Sequence, residues 1–241
     1  GHTVVYDLDD STIAGLHISS GATLKFEPSQ SALLQSSKNI VVEGLLEMKP
    51  ADQKVVHYIR FININESAVV GLGHMVLDTD IGLWVINSGR LNLVGSPKKS
   101  WTNLLGSASA GSNSITLKET PANWAAGDEL VVCPTSGIDG LGRTGTIPLF
   151  ERFTIKEVSG STVNLSGALV YVQPAGSDKQ WTAEVLNLER NVKIEGTVGG
   201  KAHIFVKSAV PQTLKFVGLR HMGPKRENIG RYGIHFHHCM N

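Results

Sequence analysis

The sequence predicts an all-β protein whose main body is a parallel β-helix, and three observations lead to that fold class. Val, Ile and Thr account for 54 of the 241 residues, and β-branched side chains favour strands over helices. Apolar residues recur in short alternating runs and almost nowhere with the spacing of a helix face. Gly21, Gly44 and Gly89 each separate two such runs and are 23 and 45 positions apart. A strand–glycine–strand unit with a period in the twenties is typical of stacked β-helix coils.

The repeated unit can be followed along the chain. Its copies occupy residues 16–26, 39–48 and 83–93. Residues 191–196 resemble the start of the second copy, which extends the pattern into the C-terminal half. Because the repeat is degenerate, an antiparallel sandwich or jelly roll remains an alternative.

The middle of the chain has a different pattern. Residues 107–114 are rich in Ser, Gly and Ala, and the strand-like runs 153–158 and 162–165 read as a hairpin. We therefore expect one continuous structural unit with three parts. These are β-helix coils over 1–106, an antiparallel elaboration over 107–180 and further coils over 181–241.

Composition excludes several classes of protein. The chain has 22 Lys+Arg against 21 Asp+Glu, so there is no electrostatic basis for binding nucleic acid or an anionic membrane surface. No apolar run approaches the ~18–20 residues of a membrane span. Cys133 and Cys239 are the only cysteines. They cannot build a disulfide framework, and their pairing stays open. The sequence stops abruptly at Asn241, and we expect it to be a fragment of a longer protein.

Histidines are concentrated in the last 39 residues, and that concentration predicts a functional surface. The five are His203, His221, His235, His237 and His238. On a strand, His235 and His237 point to the same side, and this spacing suits one transition-metal ion with His203, His221 or His238 as a third ligand. The alternative is that the imidazoles form a polar ladder on stacked coils without metal.

The segment 230–238 predicts a strand with two different faces. We expect an exposed ligand-binding face formed by Arg231, His235 and His237. The opposite, buried face would then consist of Tyr232, Ile234 and Phe236.

Two further groups of residues are candidates for chemistry. Asp78 and Asp80 would lie on one strand face, where two carboxylates can bind Ca²⁺ or act as an acid/base pair. A solvated turn before Ile81 is the alternative. Trp101 and Trp181 lie next to polar residues, and an exposed indole can stack on a sugar ring. The sequons at Asn65 and Asn164 would make a secreted eukaryotic source protein a glycoprotein.

Four segments in a fixed order resemble a known family. They are DIGLWVINSGRL at 80–91, WAAGDELVV at 124–132, AEVLNLERNV at 183–192 and GRYGIHFH at 230–237. The first resembles the eight-glycine (G8) domain, and the others resemble the segment that follows it in fibrocystin and in the cell-migration-inducing hyaluronan-binding protein. Gly233 departs from the pattern, because the family usually has proline there.

The resemblance implies a right-handed, pectin-lyase-like parallel β-helix that is secreted or on the cell surface. It also implies a link to polysaccharide, hyaluronan in particular. A module that binds a polysaccharide or a surface protein is our first hypothesis. The others are a glycan-depolymerising hydrolase or lyase, with Ca²⁺ or a transition metal as cofactor, and a structural segment of a surface fibre or adhesin. The family's coils continue beyond the last motif.

Overall fold

The computed structural model describes residues 1–135, 143–144, 147–177, 181–224 and 230–239. Among these residues there are 23 strands and one short 3₁₀ helix, Glu66–Ala68. No helix in this part of the chain is long and apolar enough to cross a membrane. Two compact units can be distinguished: Gly1–Ser96 together with Arg190–Asn241, and Pro97–Glu189.

The first unit begins with three coils of three strands each. The first coil has β1 (Thr3–Tyr6), β2 (Asp10–Ile13) and β3 (Leu16–Ile18); the second has β4 (Thr23–Phe26), β5 (Ala32–Ser36) and β6 (Ile40–Val42); the third has β7 (Leu45–Met48), β8 (His57–Phe61) and β9 (Leu83–Asn87). The fourth coil opens with β10 (Arg90–Val94).

The second unit follows β10 and is antiparallel. Its strands are β11 (Trp101–Asn103), β12 (Ser114–Thr116), β13 (Glu129–Val132), β14 (Arg143–Thr144), β15 (Ile147–Pro148), β16 (Glu151–Ser159), β17 (Thr162–Leu165) and β18 (Glu184–Asn187). Six of them form one sheet in the order β11-β18-β13-β16-β17-β12 around a core of its own. The predicted antiparallel elaboration in the middle of the chain is therefore confirmed.

The fourth coil then resumes with two strands, and a fifth coil completes the first unit. These strands are β19 (Val192–Glu195) and β20 (Ile204–Ser208), followed by β21 (Thr213–Lys215), β22 (Val217–Arg220) and β23 (His235–Phe236). Strands at equivalent positions pair in parallel and form sheet 1 (β1-β4-β7-β10-β21), sheet 2 (β2-β5-β8-β19-β22) and sheet 3 (β3-β6-β9-β20-β23). This topology is the predicted parallel β-helix.

Buried columns of aliphatic side chains hold the coils together. In sheet 3, Ile18, Val42, Val85 and Val206 follow one another in register, and all four are buried in one core. Alternate residues of a strand point to opposite faces, so the residues between them point away from the coil interior. Each fully buried aliphatic side chain contributes about 1.5–3 kcal/mol.

The spaced glycines all lie at one corner of the coils. Gly21 connects β3 to β4, Gly44 connects β6 to β7, and Gly89 connects β9 to β10. A Cβ atom on Gly44 would lie 2.2 Å from the carbonyl oxygen of Ala22 in the preceding coil. The repeat in the sequence therefore marks the turn from sheet 3 to sheet 1. At Gly44 and Gly89 the preceding backbone leaves no room for a side chain, whereas Gly21 has a positive φ of +76°.

Candidate functional site

A layer of aromatic rings lies on the outward side of sheet 3. Trp84, Phe205 and His235 occupy one register position on β9, β20 and β23. The centroids of the Trp84 and Phe205 rings are 5.1 Å apart, and those of Phe205 and His235 are 5.3 Å apart. Trp84 and Phe205 are buried although they point away from the coil interior. Other parts of the chain must therefore cover them.

Arg231 covers the two buried rings. Its Cζ atom lies 4.6 Å from the Trp84 ring centroid and 5.3 Å from that of Phe205. Its Nε atom donates to Oδ2 of Asp80 at 2.8 Å, and its side chain is only 1% exposed. The expectation that Arg231 lies on an exposed strand face is therefore wrong. The residue precedes the short strand β23, and the carboxylate and the rings hold its guanidinium inside.

Asp80 is fully buried and accepts four hydrogen bonds. Besides Arg231, the donors are the backbone N–H groups of Val70 and Gly71, at 2.8 and 3.0 Å, and the Thr79 hydroxyl at 2.8 Å. Burial alone would raise the pKa of this carboxyl, but these donors outweigh it and the pKa is lowered. Asp80 is therefore ionised at neutral pH and serves as an acceptor.

Asp78 and Asp80 do not share a strand face, so that expectation is wrong. Residues 78–80 form a turn and bend before β9, in which Asp78 is exposed while Asp80 is buried. In this turn the carboxylate of Asp80 faces Arg231. The predicted catalytic roles of the two carboxylates stay predictions.

His203 lies beside Trp84 of the ring layer. Its Nε2 atom is 2.9 Å from the backbone oxygen of Asp80, and its ring meets the edge of Trp84 at 4.9 Å. Burial disfavours the imidazolium and lowers the pKa of His203 to about 4. The neutral ring at this position therefore packs against Trp84 and holds the backbone of Asp80.

The rim of the layer is exposed and carries one tyrosine and several imidazoles. Tyr232 is 49% exposed, and its ring meets His235 at 5.3 Å. His237 stacks on Phe205 at 5.2 Å and on His74 at 5.9 Å. Partial burial and the neighbouring His238, His235, His74 and Lys207 lower the pKa of His237, so this imidazole is neutral at pH 7. The buried layer and this rim, Trp84, Phe205, His235, Tyr232, His74, His237 and His238, are called the sheet 3 face.

The predicted metal ligands are brought together only in part. His237 lies within ring contact of both His235 and His238, whereas the His203 ring contacts Trp84 and His221 is exposed after β22. Across the residues that the structure describes, no three His, Cys, Asp or Glu side chains are arranged to hold a metal ion. Both cysteines are free thiols.

Trp101 and Trp181, the predicted sugar-stacking residues, belong to the second unit. Trp101 lies in β11, and both indoles are about half exposed. The Trp181 indole lies against Gly176, whose N–H donates to the Trp181 carbonyl at 3.0 Å. Each is therefore an exposed aromatic surface within its own unit.

Comparison with protein families identifies the N-terminal part of the chain. The family model of the G8 domain matches residues 1–105. The matched residues include His74, Asp80 and Trp84 of the sheet 3 face and its support. Residues beyond the match supply Phe205 and Arg231.

Among solved structures, three phage tailspikes share similarity with the chain. The tailspike gp49 of Pseudomonas phage LKA1 has 14% identity and a TM-score of 0.30 over 80% of this chain and 25% of its own. The tailspike gp61 of Pseudomonas phage phi297 has 13% identity and a TM-score of 0.32 over 82% of this chain and 27% of its own. The Gp54 tailspike of Acinetobacter baumannii bacteriophage AP22, in complex with A. baumannii capsular saccharide, has 11% identity and a TM-score of 0.30 over 97% of this chain and 30% of its own. The chain thus spans less than a third of each tailspike.

No curated protein matches the sequence. The G8 match therefore identifies a domain, and the sheet 3 face provides the geometry from which a function can be argued.

Proposed function

We propose that the chain is an extracellular or cell-surface module that binds polysaccharide through the sheet 3 face. The observation that carries the proposal is the exposed ring of Tyr232 beside the imidazoles of His235, His237 and His74. A sugar ring has an apolar face of C–H groups and an edge of hydroxyls. An aromatic ring suits the first, and a neutral imidazole, with one donor and one acceptor nitrogen, suits the second.

The support under this face favours binding because it holds the contacting groups in place before the ligand arrives. Phe205 is fully buried and contacts both His235 and His237. Arg231 packs on Phe205 and is itself fixed by Asp80. Side chains that are already immobilised lose little conformational entropy on binding.

The sequence motifs resemble a family that is connected with hyaluronan and with the cell surface. That resemblance, together with the G8 match over residues 1–105, supports hyaluronan as the first polymer to test. A catalytic function receives less support from the geometry. The oxygens of Asp80 already accept four hydrogen bonds, and the residue has no exposed surface, so it is not available to donate a proton to a glycosidic oxygen.

Isothermal titration calorimetry with hyaluronan, chondroitin and dextran tests the proposal. We expect at least one polymer to bind and Tyr232→Ala to weaken that binding about tenfold, the effect of losing one aromatic contact. Tyr58→Ala is the matched control, because Tyr58 lies on the outward side of sheet 2. Absence of heat with every polymer, or equal losses in both variants, would contradict the proposal. Release of new reducing ends would favour the depolymerase instead.

A further inference from the structure

The loop between residues 69 and 80 contains an unusual backbone. Gly71, Leu72 and Gly73 follow one another with φ values of +64°, +55° and +69°. The left-handed region is open to glycine, whereas a bulky side chain makes it unfavourable. Leu72 is therefore strained, although the glycines beside it are not.

Tertiary hydrogen bonds hold the loop in this conformation. Arg231 donates to the carbonyl oxygens of Leu72 and Gly73, at 3.3 and 3.4 Å. Asp80 accepts from the N–H groups of Val70 and Gly71. The same ion pair that supports the sheet 3 face therefore fixes the strained residue, and such strain persists only where the surroundings impose it.

The side chain that this backbone displays is apolar and exposed. Leu72 is 61% exposed, and Val70 and Met75 of the same loop are also exposed. Neither the strained backbone nor the exposed leucine stabilises the fold. A residue that is unfavourable in both respects is a candidate for a role in binding.

The loop is part of the border of the sheet 3 face. His74, two residues after Leu72, stacks on His237, and the backbone of Leu72 accepts a hydrogen bond from Arg231, which covers Trp84 and Phe205. An apolar side chain beside an aromatic and imidazole surface fits the C–H face of a sugar ring. Because the loop borders the proposed binding surface, the ligand that Leu72 contacts is the same polysaccharide.

We propose that Leu72 is a ligand-contacting residue of the sheet 3 face, held in a strained conformation so that its side chain packs on a sugar ring of the bound polysaccharide. This inference rests on the proposed function and adds to it a specificity-determining residue. It also has a consequence that a structural role would not produce. Replacing Leu72 by a residue that tolerates the left-handed region relieves strain and at the same time removes the contact.

Three variants test this consequence. Leu72→Asn introduces a residue that tolerates a positive φ and removes the apolar side chain. Leu72→Met retains an apolar side chain. Phe216→Asn is the matched control, because Phe216 also has a positive φ (+54°) and a partly exposed apolar side chain but lies between β21 and β22. We expect both asparagine variants to raise the melting temperature by about 2–4 °C. Only Leu72→Asn should weaken polysaccharide binding, by about tenfold or more, and Leu72→Met should bind like wild type.

The outcomes separate this inference from the proposed function. If wild type binds and Leu72→Asn binds equally well, Leu72 makes no contact and the inference is overturned while the function stands. An equal loss in Phe216→Asn would also overturn it, since the effect would not be local. If wild type binds no polysaccharide, both the function and the inference are overturned.

Discussion

Arg231 and Asp80 lie 151 positions apart in the sequence and form an ion pair with 2.8 Å between Nε and Oδ2, almost completely shielded from solvent. The pair joins the last described segment of the chain to the loop before β9. Its arginine also covers the rings of Trp84 and Phe205 in the sheet 3 face. Fold stability and the proposed binding surface therefore depend on the same two side chains.

Removing one partner of this pair should destabilise the first unit strongly. Arg231→Gln leaves the Asp80 carboxylate buried without its cation, and Asp80→Asn does the reverse, so each should lower the free energy of unfolding by about 3–5 kcal/mol. Urea denaturation followed by circular dichroism measures this. Arg90→Gln, at an exposed position of β10, is the control and should change stability by less than about 0.5 kcal/mol. Similar losses of stability in all three variants would contradict a specific contribution of the Arg231–Asp80 pair.

His203 should make stability depend on pH between about 4 and 6.5. The pKa of His203 is lowered from 6.5 to about 4 in the folded protein, because burial disfavours the charged ring. Between these values the unfolded chain binds a proton that the native protein does not, so stability falls as the pH is lowered through this window. The loss is up to about 3 kcal/mol.

Two measurements check the prediction for His203. An NMR titration should show one imidazole that stays neutral down to about pH 4. His203→Gln should flatten the pH dependence of unfolding between pH 4 and 6.5. Burial also lowers the pKa of His57, so some dependence should remain in that variant. A His203 resonance that titrates near 6.5 would contradict the burial argument.

Gly89→Ala should disrupt the corner between sheets 3 and 1. A Cβ atom there would lie 2.0 Å from the carbonyl oxygen of Val42 and 2.8 Å from that of Ile86. Both contacts are with backbone, which cannot move without breaking strand pairing, so we expect a loss of about 3 kcal/mol. Gly199→Ala is the control, since nothing lies within 4 Å of its Cβ position. Equal stability of the two variants would contradict the steric explanation.

The sequence predicted the coils well because coil formation depends on local repeats. Glycine spacing located one corner three times, because Gly44 and Gly89 pass close to the preceding backbone and Gly21 adopts a positive φ. Strand alternation was also correct within β23: Phe236 continues the interior column next to Val206, and His235 points outward. Phe236 is nevertheless half exposed, because no described strand pairs with β23 on its other side.

The support of the candidate site could not be predicted in the same way. Strand alternation over 230–238 predicts an exposed Arg231. Only His235–Phe236 is a strand, however, so Arg231 does not follow the alternation. Its burial depends on Asp80 and Trp84, which reach it through β-helix stacking and not through sequence proximity. The alternation pattern within one segment contains no information about partners such as Asp80 and Trp84, which are distant in the sequence. The positive φ of Leu72 is hidden for the same reason.

The Trp181 indole should move when Gly176 is replaced by alanine. A Cβ atom at Gly176 would lie 2.5 Å from Nε1 of Trp181 and 2.7 Å from Cε2. Because the indole is 54% exposed, it can swing away, so we expect a stability loss of only about 1 kcal/mol. The indole N–H resonance of Trp181 in a ¹H–¹⁵N spectrum, assigned with Trp181→Phe, should shift clearly in Gly176→Ala. Gly106→Ala, which has open space at its Cβ position, should leave the resonance unchanged.

If Trp181 stacks on sugar as its sequence context predicts, polysaccharide should shift the wild-type resonance, and the shift should be weaker in Gly176→Ala. An indole resonance that is unchanged in Gly176→Ala would contradict the packing of Trp181 on Gly176. A resonance that is unchanged on adding polysaccharide would contradict the stacking role.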